Sequence, residues 1–225
     1  MTFSLLVRDP ATGAFGSVIS SSSPAVAARC VHLRDGVGGV HSQNITDPRL
    51  GPLILDAMER GLGAQDALDA VLGEHRFADF RQVAVIDATG ATAIHSGGQS
   101  LGIVSAEHGP GAVAAGNMLA GPDVIAALLD GFADSDGELE TRLLDALRAA
   151  IAAGGEAGPV HSAGLSVVAD AGWRVTDLRV DWSDHPLSDL ETLVDLWLPQ
   201  RDAYVQRGHA PEAAPGYGVA GDDRG

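Results

Sequence analysis

Lysine is missing from this chain: all 14 basic residues are arginine, set against 30 aspartates and glutamates. That absence excludes any catalytic scheme built on a buried lysine amine. The resulting net charge of −16 argues against tracking a nucleic-acid backbone. One cysteine, Cys30, rules out an internal disulfide framework and fits a reducing cytoplasm, the expected location. No apolar run approaches the roughly 18 residues of a membrane span, so no membrane partner is expected. Arg8 and Asp9 interrupt the amino terminus too early for a signal peptide. Also missing are a Gly-x-Ser-x-Gly elbow, a His-Glu-x-x-His pair and paired-cysteine spacing, and Gly109-Pro-Gly-Ala lacks the rest of a phosphate loop. No metal and no cofactor is therefore expected.

What is present is a chain of 225 residues, 45% hydrophobic, enough for one domain with a sizeable core. That domain is expected over residues 1–206, with a Pro/Gly/Ala-rich tail at 207–225 showing no helical or strand pattern. Thr2-Phe-Ser-Leu-Leu-Val-Arg8 reads as a strand, ended by the turn signal Asp9-Pro-Ala-Thr-Gly13. Ala14–Ser20 pairs with it as a hairpin, and Ser20–Ser23 reads as that strand's end and a loop. Further strands are expected near Ala28–Leu33 and Gly38–Gln43. Asp47-Pro48 then opens a helix striped by Leu50, Leu53, Ile54, Ala57 and Met58, and a second helix carries Ala64, Ala67, Leu68, Val71 and Leu72. Strands return at Gln82–Asp87, Ala91–Ser96 and, after a glycine-rich connection, Ala112–Gly116. Helices follow from Pro122 and from about Leu139, then a hairpin of Ser162–Ala169 and Trp173–Val180, then a long helix over Leu187–Gln206.

Grouped strands alternating with helix pairs do not give the βαβ rhythm of a parallel sheet. They predict an α+β fold: two antiparallel sheets face to face with helices on each outer side, the four-layer αββα sandwich associated with N-terminal-nucleophile hydrolases. In such a fold Thr2 takes on chemical meaning. A threonine at a true amino terminus is nucleophile and base in one residue, its hydroxyl attacking while its α-amine, of ordinary pKa near ~8, takes the proton.

The motifs agree with the element order. Thr2-Phe-Ser-Leu-Leu-Val-Arg-Asp-Pro, Gly36-Val-Gly-Gly-Val-His-Ser-Gln43 and above all Gly116-Asn-Met-Leu-Ala-Gly-Pro122 resemble a bacterial and archaeal domain-of-unknown-function family, numbered one thousand and twenty-eight. The resemblance runs from residue 2 to about 170. It implies the N-terminal-nucleophile superfamily, Thr2 as nucleophile, sheet-edge loops as oxyanion hole, and no established substrate. The superfamily's threonine proteases place a lysine on the third strand, where this chain offers Cys30, His32 and Arg34.

Around Thr2 the sequence nominates further residues. Asn117, preceded by Gly116, is the oxyanion-hole candidate, with helix capping as its other reading. His41, Ser42 and Gln43, ending the fourth strand, are candidates for substrate binding together with Gly116. Ser21 stands where a hydroxyl would relay the proton of the amine, with a local backbone cap as the alternative. The His-Ser pairs at His41, His95 and His161 are not dyads, because adjacent strand residues point to opposite faces. The expected function is an amidohydrolase acting on a small amide or imide-like substrate through an acyl-enzyme on Thr2. The alternative is a non-catalytic small-molecule-binding or assembly protein that keeps the fold and retains Met1. Trp197, Leu198, Tyr204 and the tail make an apolar segment from which a homo-oligomer is expected.

Overall fold

The computed structural model describes residues 2–222. In chain order the elements are β1 (Thr2–Arg8), β2 (Phe15–Ser21), α1 (Val26–Cys30), β3 (Val31–Arg34), β4 (Gly38–Asn44), α2 (Leu50–Glu59), α3 (Ala64–Gly73), β5 (Arg81–Asp87), β6 (Thr92–Ser96), β7 (Ser105–Gly109), β8 (Ala112–Asn117), α4 (Asp123–Ala133), α5 (Leu139–Ala152), β9 (Ser162–Val168), β10 (Arg174–Val180) and α6 (Pro186–His209). They form a mixed α and β fold with two antiparallel sheets and six helices. One sheet has the order β10-β9-β2-β1-β8-β7, the other β3-β4-β5-β6.

The period-2 alternation of β1 decides how the layers stack. Phe3, Leu5 and Val7 point to one face, where Ile125 and Leu128 of α4 and Leu143 and Leu147 of α5 close over them. Leu6 points the other way and, with Phe15, Val113 and Ala115, meets Ala84 and Ile86 of the second sheet. The outer face of that second sheet carries Val40, Val83 and Val85 against Leu50, Ile54 and Met58 of α2 and Ala67 and Leu68 of α3. The interior between the sheets therefore ends, along β1, at Thr2 on one side and Arg8 on the other.

Three elements depart from the sequence reading. The strand expected from Ala28 is split: Val26–Cys30 is a short helix and only Val31–Arg34 is strand. The cause is tertiary. A methyl at Gly164 of β9 would stand 2.4 Å from the Ala27 side chain, so α1 rests its alanine directly on a bare glycine of the sheet. The glycine-rich connection before Ala112 contains β7, an edge strand joined to β8 by a turn at Pro110 and Gly111. The last helix runs on to His209, and the tail folds back on it: Gln206 Nε2 donates to Ala213 O at 2.9 Å and the Arg207 guanidinium lies 4.0 Å over the Tyr217 ring. Residues 223–225 of the expected tail lie outside the described part. No helix among the described residues is long and apolar enough to cross a membrane.

Candidate functional site

Sheet register brings the nominated catalytic residues together. Thr2 stands opposite Asn117 on β8. On its other side Phe3 pairs with Ser20, and the same antiparallel register, extended by one residue, sets Thr2 opposite Ser21. Ser21 in turn pairs with Ser162 on β9. Residues in register on neighbouring strands share a face, with Cβ atoms about 4.5–5.5 Å apart, so Ser162, Ser21, Thr2 and Asn117 form one polar row across four strands. The row faces the second sheet, because Ser4, two residues on, donates to Gln43 Oε1 across the gap at 2.8 Å. Thr2 itself is 5% exposed. Met1, whose removal would free the Thr2 amine, lies outside the described residues.

A hydrogen-bonded amide chain faces the row. Gln43 Nε2 donates to Gln82 Oε1 at 2.9 Å, and Asn117 Nδ2 donates to the same oxygen at 3.1 Å. Gln82 Nε2 donates to the Gly116 carbonyl at 3.0 Å and to Ser96 Oγ at 3.1 Å. Asn117 is fully buried, and its Oδ1 has no hydrogen-bond partner. It caps nothing: α4 begins after Pro122 without any side-chain cap. Gln82 escaped the sequence reading, although a glutamine opening an otherwise apolar buried strand was the available signal.

Glu156 escaped it too. The segment after α5 zips onto the segment after β8, with Ala120 N–H donating to Gly155 O and Ala157 N–H to Met118 O, both at 3.0 Å. Met118 takes a left-handed φ of 49° to enter this contact. The pairing carries Glu156 to the end of β2, where the Ser22 N–H donates to both its carboxylate oxygens at 3.1 Å and the Ser21 hydroxyl donates to it as well. Glu156 is 3% exposed. Burial pushes its pKa up from the ordinary value, and the bonds from Ser22 and Ser21 only partly oppose that. A lone acid inside Gly154-Gly-Glu-Ala-Gly158 was its one sequence signal.

Two of the residues nominated for substrate binding face away. Ser42 points to the helical side of its sheet, its hydroxyl donating to Asp47 O at 3.0 Å and its carbonyl accepting from Thr46 Oγ1. Gly116 faces α4, where an added Cβ would stand 2.7 Å from Leu119 and 3.0 Å from Ile125, so packing explains the glycine. His41 and Gln43 do face the gap. His41 is fully buried, its Nε2 2.7 Å from Ser17 Oγ while Nδ1 has no partner. Burial, reinforced by the nearby charges of His32 and Arg174, pushes its pKa down to about 3, so the ring is neutral. With no carboxylate behind Nδ1 and no exposure, this Ser-His pair is part of the packing. Asp87, Asp47 and the other buried acids form no group suited to a metal among the described residues.

Two clefts, of about 600 and 460 Å³, lie at the opposite end of β1, lined by Asp9 and by Arg8 respectively.

A family model described as "Family of unknown function (DUF1028)" matches residues 2–190. A solved structure of that family, protein SPO2555 from Silicibacter pomeroyi, superposes with a TM-score of 0.85 at 29% identity, covering 92% of this chain and 90% of its own. Anbu (ancestral beta-subunit) from Yersinia bercovieri superposes with a TM-score of 0.41 at 12% identity, covering 88% of this chain and 97% of its own. No curated protein matches the chain.

Proposed function

The chain belongs to the family of unknown function DUF1028, and from the site described above we propose that it is an amidohydrolase of the N-terminal-nucleophile kind, with Thr2 attacking a small amide or imide-like substrate. The observation that carries the proposal is the register row: the residue that becomes the amino terminus on methionine removal stands between Asn117 and Ser21, and Ser21 donates to the buried Glu156. Two antiparallel sheets face to face, with α4 and α5 outside one and α2 and α3 outside the other, support the four-layer αββα sandwich in which such chemistry is done.

In the proposed reaction Thr2 Oγ1 bonds to the substrate carbonyl carbon and gives its proton to the α-amine. The C–N bond then breaks, and the ammonium returns that proton to the departing nitrogen. Water, deprotonated by the same amine, then attacks the ester carbon; the bond to Thr2 Oγ1 breaks, that oxygen takes the proton back from the ammonium, and the acid leaves. The amine must be neutral to begin, and no lysine is present to hold its pKa down. Glu156 with Ser21 positions it instead, and the unpaired Asn117 Oδ1 is the buried acceptor available to it. One of the two Asn117 Nδ2 hydrogens is held by Gln82 while Oδ1 is left without a partner, and from that free acceptor we infer that Asn117 orients the amine rather than forming the oxyanion hole. Assembly into a homo-oligomer belongs to the same proposal, through exposed Leu196 on α6 and not through Trp197, whose Nε1 donates to Thr176 Oγ1 at 3.0 Å within the fold.

The test uses untagged protein. Its mass should lack methionine, a β-lactone electrophile should label the Thr2 peptide, Thr2→Ala should abolish labelling without loss of folding, and Thr2→Ser should keep part of it. Quantitative retention of Met1 with an unlabelled Thr2 would overturn the enzyme reading. It would leave the non-catalytic binding protein, which the position of the two clefts, far from Thr2, favours.

A further inference from the structure

The motif that opens the chain ends in Arg8-Asp9-Pro10, and the chemistry at Thr2 uses none of it. Asp9 serves its own turn, its carboxylate accepting from Thr12 N–H at 3.2 Å and from Ala11 N–H at 3.4 Å to close the β1–β2 connection. Arg8 has no such role. In a chain with 30 acidic residues against 14 arginines, its guanidinium makes no hydrogen bond or ion pair with any described residue, and its Nε is buried without an acceptor. A guanidinium with a buried, unsatisfied N–H is costly to keep, because the desolvation is not repaid by a partner. Its stem is held all the same. The Cδ lies 3.8 Å from where a side chain on Gly90 would begin and Nη2 3.6 Å from the same point on Gly13, both ordinary van der Waals distances to the turns after β5 and β1.

Arg8 lines the cleft of about 460 Å³ between the β7–β8 turn and α4, within the roughly 300–1,000 Å³ of small-molecule sites. The second cation of the cleft is Arg142, whose Nε donates to Ser135 O at 3.1 Å and whose plane lies 4.0 Å over the Phe132 ring. It has no carboxylate within bridging distance among the described residues, although the Asp9 carboxylate lies close enough to feel its charge. The apolar lining comes from Ala112, Leu129 and Phe132. Two acids share the cleft, Glu107 and Asp130, but both are exposed and screened by water, whereas both arginines are half-buried. The half-buried charges that line the cleft are thus both cationic, and its two lining acids sit at the solvated rim.

We propose that this cleft binds a small organic carboxylate with an apolar body, the carboxylate on the Arg8 guanidinium and the body on Leu129 and Phe132. A guanidinium presents parallel N–H groups that match a carboxylate two for two, and the match is strongest where water is excluded. The site is separate from the one proposed for catalysis. Six residues of strand, roughly 3.4 Å each, put about 20 Å between Arg8 and Thr2.

Isothermal titration of the full chain at neutral pH tests the assignment, with hexanoate as probe, 1-hexanol as its uncharged counterpart and inorganic phosphate as the anion without an apolar body. Hexanoate should bind one to one in the millimolar range or below, with hexanol and phosphate about tenfold weaker or worse. Arg8→Met keeps the stem against Gly90 and should weaken hexanoate by about tenfold or more. Ala126→Leu, which leaves both arginines in place and fills the cleft, should weaken it as well while the melting temperature stays put. Hexanoate that shows no binding at millimolar concentration, that binds no better than hexanol, or that is indifferent to Arg8→Met in a normally melting protein would overturn the proposal. None of these outcomes depends on whether Thr2 is catalytic.

Discussion

At the scale of single residues the site depends on which atoms are already spoken for. Asn117 was read from sequence as an oxyanion donor, and the structure shows one of its two N–H donors engaged by Gln82 and its carbonyl oxygen left over. The two roles make different predictions. As an oxyanion donor, Asn117→Ala would lower turnover by about a hundredfold or more at every pH. As the acceptor that orients the amine, Asn117→Asp has the sharper signature. A carboxylate beside an ammonium raises the ammonium pKa, so the acidic limb of the pH–rate profile should move up by about one unit and activity at neutral pH should fall about tenfold. An Asp variant with an unmoved limb would return Asn117 to the oxyanion reading. The pairing itself was not legible: nothing along the chain says that Gln82, 35 residues earlier, meets Asn117.

At the scale of elements, most were legible because periodicity is a local property. The apolar stripes of α2 and α3 and the alternation of β5 need no tertiary knowledge to be seen. Where reading failed, a partner decided. The strand expected from Ala28 starts only at Val31, because Val26–Cys30, with the helix formers Ala27, Ala28 and Arg29, coils where bare Gly164 leaves it a seat. Likewise β7 has little hydrophobic signal because it is an exposed edge, needing only β8 beside it. One polar cluster joins three elements. Glu140 of α5 is buried, accepts from Thr176 Oγ1 of β10 at 2.6 Å, and is bridged at 3.0 Å by Arg201 of α6. Removing only the cation strands a buried carboxylate, so Arg201→Met should cost about 3–5 kcal/mol in urea unfolding. Adding Glu140→Gln to Arg201→Met should recover a large part of that loss. Equal stability of the wild type and the single variant would show α6 to be held by its apolar contacts alone.

At the scale of the whole molecule, stacking two sheets buries titratable groups whose effects oppose each other. The His41 pKa falls from 6.5 to about 3 on folding, so the unfolded chain binds one more proton between those values and stability drops as pH falls through that window. The slope is at most about 1.4 kcal/mol per pH unit. Glu156 runs the other way. Its folded pKa is raised above 4.5, so the stability it contributes is present below 4.5 and is lost as pH rises through the folded value. Chemical denaturation across pH 4–8 should therefore show His41→Gln flattening the acid side. Glu156→Gln should gain on the wild type as pH rises, even as it damages the proposed site. If neither variant changes the pH dependence, the two groups titrate as they do in the unfolded chain.

The chain alone determined the family and the order and type of most elements, and it nominated Thr2, because each is written in local motif or in hydrophobic period. Tertiary structure alone decided that Thr2, Ser21 and Asn117 share a row, that Glu156 joins them from a loop, and that Ser42 and Gly116 turn away. Register and the side of a sheet are relations between segments far apart in the chain. A shift of one residue reverses every side chain, and only the packing of the two sheets fixes which way they point.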